Sequence, residues 1–148
     1  EQLGIPYTGS DAYTCALSLD KEVTKLVASS RGVRVPGGIF VEDPAELSLG
    51  DLRFPLIVKP NFEGSSKGIA DGCVVEDVAA LRARVAATLE TYPAGVLVEE
   101  YIAGTDVSVA YLEKATPLTA SGTGGGVLAP VEIVFADEVR ATWRARRG

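Results

Sequence analysis

The 148-residue sequence has no histidine, no methionine, two cysteines (Cys15 and Cys73) and a single asparagine, Asn61. Without histidine, a zinc site or a histidine-based triad has almost nothing to work with, and two cysteines do not make a disulfide framework. No apolar run approaches the roughly 20 residues that cross a bilayer, and no basic-then-apolar leader opens the chain. The expectation is therefore a cytoplasmic location with no membrane partner. Basic residues are in the minority, with 14 Lys and Arg against 20 Asp and Glu and a formal net charge of −6, so a chain-wide attraction to nucleic acid is not expected. Position 1 is not methionine either, and residue 1 is expected to be a cut, a processing point or a sampling limit rather than a translation start.

What is present is ordinary globular material: 47% hydrophobic and 23% charged residues, in a length that suits one domain or parts of two. A helix is predicted over 18–31, where Val23, Leu26 and Val27 share a face, Asp20 and Glu22 come early and Gly32 stops the run. Residues 33–41 are β-branched but interrupted by Pro36-Gly37-Gly38, which predicts a broken edge strand or two short extended pieces. Strands are further predicted at 54–60, 73–75, 96–102, 107–112 and 130–135, with a loop over 44–50. Glu76 and Asp77 open a helix whose stripe is Val78, Leu81, Val85 and Leu89. The tail, with Arg140, Arg144, Arg146 and Arg147 around Trp143, reads as a ragged terminus.

Two segments carry chemistry. Lys59 ends an apolar strand and is followed by Glu63-Gly64-Ser65-Ser66-Lys67-Gly68. Glycines let backbone N–H groups turn toward phosphate oxygens, hydroxyls add donors, and lysines neutralise charge exposed in phosphoryl transfer. The Walker pattern is absent, so this is not the usual P-loop. The plainer alternative is a surface turn beside a lysine that snorkels at a strand end. In the second segment, Val96-Leu97-Val98-Glu99-Glu100-Tyr101-Ile102, an apolar strand breaks into adjacent carboxylates. These point to opposite faces, so one of them meets the interior or a cleft unless the strand lies at an edge with both solvated. A carboxylate in a cleft can accept from an adenine amino group.

Four ordered landmarks, Gly4 to Ser10, Ala16 to Lys21, Ile57 to Pro60 with Glu63 to Ser66, and Val96 to Gly104, resemble those of the D-alanine–D-alanine ligases of the ATP-grasp superfamily over residues 3 to about 112. The resemblance implies an α+β ATP-grasp fold with mixed or antiparallel sheets and packed helices. It implies the end of an amino-terminal domain over 1–20, a central nucleotide-binding subdomain over 21–106, and the start of a carboxy-terminal subdomain over 107–148. It also implies that Lys21 and Lys59 bind ATP phosphates, that Ser65 and Ser66, with Glu63 and Gly64, lie in the loop closing over the γ-phosphate, and that Glu99 with the backbone of Glu100 and Ile102 holds adenine. Asp106 stands where the family places an acidic residue on the ribose hydroxyls.

Such enzymes phosphorylate one amino acid's carboxylate and let a second amino acid's amine displace phosphate, with magnesium assisting, in peptidoglycan precursor synthesis. A homodimeric parent is in keeping with that resemblance. Positioning and charge stabilisation carry most of phosphoryl transfer, which suits a chain without histidine. Beyond Leu112 the pattern departs: neither the family's phosphoryl-stabilising arginine nor its aspartate and Glu-x-Asn magnesium ligands are found in 113–148, although Glu132 and Asp137 are acidic. The chain is accordingly expected to be an internal piece carrying the ATP-binding part, inactive alone. Lys67 is unusual for a cell-wall enzyme, which leaves open a ligase for other amino acids, and a non-catalytic nucleotide-binding module is the further alternative.

Overall fold

The computed structural model describes residues 4, 5, 7–69, 72–112 and 126–133. The chain divides into two compact units, Glu1–Ile102 and Ala103–Gly148. In the first, helices α1 (Ala12–Leu19) and α2 (Lys21–Ser30) precede β1 (Gly38–Val41), a 3-10 turn (Pro44–Glu46), β2 (Leu56–Pro60), β3 (Val74–Val75), α3 (Val78–Thr91) and β4 (Val96–Glu100). The strands form one antiparallel sheet in the order β1-β4-β2-β3.

Where one helix is predicted over 18–31, two are observed, and the break is chemical. Asp20 adopts extended backbone and its carboxylate accepts from Val23 N, capping α2. Asp11 does the same for α1 through Thr14 N. Nothing in the sequence punctuates Leu19-Asp20-Lys21 with glycine or proline, so the pattern reads through it.

The predicted interruption at Pro36-Gly37-Gly38 holds: only Gly38–Val41 is strand, and it is an edge. The strand expected at 96–102 is not an edge. Val96–Glu100 runs between β1 and β2, with Glu99 opposite Gly38 on one side and Ile57 on the other.

Residues directly opposite one another share a face, and this register sorts the sheet into two. One face carries Leu56, Val58, Val96 and Val98, all fully enclosed, and packs with Leu81 and Val85 of α3 into one core with Val41, Leu47 and Val75. The α3 stripe is corrected at its first position. Val78 is 46% exposed, while Thr88, not predicted, is buried and turns its hydroxyl inward to donate to Arg84 O. The other face carries Ile57, Lys59, Leu97 and Glu99.

In the second unit, β5 (Val107–Ser108) pairs antiparallel with β6 (Val131–Glu132) in a separate two-stranded sheet, and Tyr111 bridges Val127. The strands predicted at 107–112 and 130–135 are thus shorter where they are described, and residues 113–125 and 134–148, including the arginine-rich tail, lie outside the described residues.

Candidate nucleotide site

The face of the sheet turned away from α3 is where the chemistry gathers. Asn61, directly after β2, is 1% exposed and satisfied on every side. Its amide donates to Asp20 Oδ1 at 2.8 Å, its side-chain oxygen accepts from Glu22 N at 2.9 Å, and its backbone N donates to Gly95 O at 3.1 Å. The one asparagine of the chain therefore bolts the start of α2 to the end of β2. Its donation is the main reason why the Asp20 carboxyl is held below the usual carboxylate range.

That junction fixes Lys21. Its ammonium donates to Pro60 O at 2.8 Å, to Asn61 O at 2.9 Å and, closer still, to Glu63 O. All three donors are consumed by carbonyls at the root of the Gly/Ser loop, so Lys21 shapes the loop from beneath. Burial and the adjacent Lys59 charge pull this ammonium below the usual lysine range, opposed by Glu63, Glu99 and Asp20. Within the loop Ser65 and Ser66 are exposed, and both have positive φ, 53° and 59°. Two successive non-glycine residues in the left-handed region are uncommon, and such conformations cluster at ligand clamps. Lys67 spans the turn to Glu63 at 3.6 Å. Gly68 closes it at φ +75°, where a Cβ would stand 2.4 Å from the Pro60 ring, and its carbonyl accepts from Arg84 Nη2 of α3 at 3.2 Å.

Glu99 is the centre of the arrangement. It is 2% exposed, and its two oxygens face two ammonium groups: Lys25 at 2.7 Å and Lys59, on the neighbouring strand, closer still. Of the adjacent carboxylates, then, Glu99 is the buried one, and Glu100 turns to the opposite face to accept from Arg53 N at 3.2 Å. Glu100 borders an open pocket of about 450 Å³ with Gly37, Leu49 and Leu52. Ile102 is 70% exposed. Asp106 belongs to the second unit, where its backbone carbonyl accepts from Ile133 N at 2.9 Å.

The structure thus brings Lys25 and Lys59 onto Glu99 on one sheet face, and Lys21 onto the carbonyls of Pro60, Asn61 and Glu63 at the root of the loop that carries Gly64, Ser65 and Ser66. Three contributors escaped sequence reasoning: Lys25, Asn61 and Arg84. Lys25 had a signal, since i,i+4 spacing puts it on the same face of α2 as Lys21. Asn61 had one in being a polar residue directly behind an apolar strand. Arg84, inside an amphipathic helix, had none.

The α+β arrangement of antiparallel sheets and packed helices is that of ATP-grasp ligases, and solved structures share it. A D-Ala:D-Ser ligase, VanG, from Enterococcus faecalis superposes at TM-score 0.65 over 96% of this chain and 47% of its own, with 25% identity. A D-alanine–D-alanine ligase from Bacillus anthracis solved with ATP does so at 0.55 over 99% and 50%, with 24% identity. In sequence, the chain is 45% identical over 128 residues to the D-alanine–D-alanine ligase of Ectopseudomonas mendocina, and the match covers 83% of this chain and 39% of that relative. The profile of the D-ala D-ala ligase C-terminus matches residues 42–130. The chain belongs to the D-alanine–D-alanine ligase family, and it spans about two fifths of the length of the relatives that it matches.

Proposed function

We propose that this chain is the ATP-binding portion of a carboxylate–amine ligase that joins two small amino acids, in the first place D-alanine to D-alanine for peptidoglycan precursors, in the cytoplasm. One observation carries the reading: a buried carboxylate pairs with two lysines on one sheet face, and a third lysine holds the root of the Gly/Ser turn that follows the same strand. A nucleotide needs that combination, with cations and N–H donors for polyphosphate and an acceptor for the adenine amino group.

The residues present fit ATP. Lys59 pairs with Glu99 while its side chain stays 22% exposed, so it is the group that meets phosphate. Lys21 supports the loop from which Ser65 and Ser66 offer their hydroxyls and N–H groups, with Glu63 and Gly64 forming its entrance. Each carboxylate oxygen has more than one acceptor direction, so Glu99 keeps capacity for the adenine amino group while ion-paired, and the backbone of Glu100 and Ile102 reads the ring edge. Asp106 accepts from ribose hydroxyls. In the ligation the first substrate's carboxylate oxygen takes the γ-phosphoryl group and ADP leaves. The second substrate's amine then attacks the acyl carbon, releasing phosphate and a proton. Magnesium, when bound, would supply neutralisation of phosphate charge; the described residues offer no cluster of three or more ligating side chains for it.

The resemblance to a D-Ala:D-Ser ligase favours a second reading in which the amine substrate is another small amino acid. The test is ATP binding by the full polypeptide carrying this sequence, followed by phosphate release with D-alanine, D-serine or both. Lys59→Ala should weaken ATP at least about tenfold. Unchanged ATP binding in that variant would overturn the assignment, and the amino acid that drives phosphate release separates the two readings.

A further inference from the structure

The ligand set proposed above gives no role to Lys25, the second ammonium on Glu99. Lys25 lies one helical turn beyond Lys21 on α2, away from the loop, and it contacts Glu99 Oε1 at 2.7 Å with its side chain 18% exposed. Its seat is built. A Cβ on Gly38 would fall 2.6 Å from the Lys25 nitrogen, 2.8 Å from Val98 O and 2.9 Å from Glu99 Cγ, so only a glycine on the edge strand leaves the ammonium its space.

We infer that Lys25 is a positioning residue for phosphate binding: it remains on Glu99 as a fixed counter-ion and thereby releases Lys59 to turn from Glu99 to a polyphosphate. The inference rests on the nucleotide reading. A carboxylate as enclosed as Glu99 is strongly penalised when left without a cation. With Lys59 as its single partner, Glu99 would compete with phosphate for that lysine. With Lys25 held against its other oxygen, Glu99 stays paired whichever way Lys59 points, and the departure of Lys59 exposes no unpaired charge. Lys21 cannot substitute, because its three donors are already on the carbonyls of Pro60, Asn61 and Glu63.

The test is a double-mutant cycle on the full polypeptide carrying this sequence, with Lys25→Met, Glu99→Gln and both together. Inorganic tripolyphosphate is titrated alongside ATP, because it has no base to touch Glu99 and so isolates the effect on phosphate. Lys25→Met is expected to weaken tripolyphosphate at least about tenfold in the native background and less than about threefold in the E99Q background, where there is no carboxylate left to retain Lys59. Equal losses in both backgrounds, or no loss in the first, overturn the inference while leaving the nucleotide reading standing. A wild-type protein that binds neither ligand overturns both.

Should a variant fail to fold, amine acylation of the wild-type protein read by mass spectrometry serves instead. Tripolyphosphate should shield Lys59 and leave the labelling of Lys25 unchanged; a change at Lys25, or none at Lys59, overturns the inference.

Discussion

At the scale of single residues, the site is held by groups whose importance is not chemical in the usual sense. Gly38 is the sharpest case, since Val98 O and Glu99 Cγ stand where its side chain would be and a backbone carbonyl in a central strand cannot move aside. Gly38→Ala should therefore cost about 1–3 kcal/mol of stability and displace Lys25, seen as a lower urea midpoint; an unchanged midpoint would show that β1 yields. Asn61 makes a different prediction, on pH. Asp20 sits below its ordinary range chiefly because of the Asn61 amide, so its folded value lies below its unfolded one. The stability it contributes is present above the unfolded value, near about pH 4, and is lost as pH falls through the folded one. Asn61→Ala should lower stability at pH 7 and shrink the difference between urea midpoints at pH 7 and pH 3. A difference as large as the wild type's would mean that other carboxylates carry the acid response. Little of this was legible beforehand: Lys59 and Glu99 announce themselves as charges at the ends of apolar runs, but a glycine or an asparagine matters here through what a neighbour's atoms leave no room for, and those neighbours are distant in sequence.

At the scale of elements, hydrophobic period carried most of the reading. The strands at β2 and β4 and the body of α3 were plain because an apolar run or a 3.6-residue stripe is a direct consequence of having one buried face. The misses came where local chemistry overrides period. Asp20 ends one helix and caps the next without interrupting the apolar pattern, and Val78, first in the α3 stripe, lies directly after the Asp77 N-cap, where the helix has not yet reached the sheet. The corrected stripe can be tested by substitution. Leu81 is fully enclosed among β-strand side chains, so Leu81→Ala should cost about 2–5 kcal/mol. Val78→Ala, at a position 46% exposed, should change stability by less than about 0.5 kcal/mol. Thermal or urea unfolding of the two variants settles the comparison, and similar losses at both positions would mean that the helix packs through a broader face than its burial shows. The position of β4 between β1 and β2 was not legible either, because two glutamates at a strand end also read as solvated, and only the Lys25 and Lys59 ammonium groups show why Glu99 is not.

At the scale of the whole molecule, the two units differ in what their described residues bury. The first closes a single core drawn from residues 41–98. The second presents Val107, Val109, Tyr111, Leu112, Val127, Leu128, Val131 and Ile133 with substantial exposure, Val131 at 62%, around paired strands of two residues each. A two-stranded ribbon with uncovered apolar side chains is marginal by itself in water, and the same side chains form a surface prone to association. Hydrogen exchange should separate the units. Amides of the first unit's sheet, such as Val58, which donates to Cys73 O, and Leu97 in the β2–β4 ladder, should exchange only through global opening. Those of Leu112, Leu128 and Ile133, although bonded to Gly126 O, Ala110 O and Asp106 O, should exchange orders of magnitude faster through local opening. If instead the second unit's amides are as protected as β4 in the 148-residue chain, that ribbon is covered by something these strands do not show, and self-association, read by a concentration dependence of the same exchange rates, becomes the explanation to test.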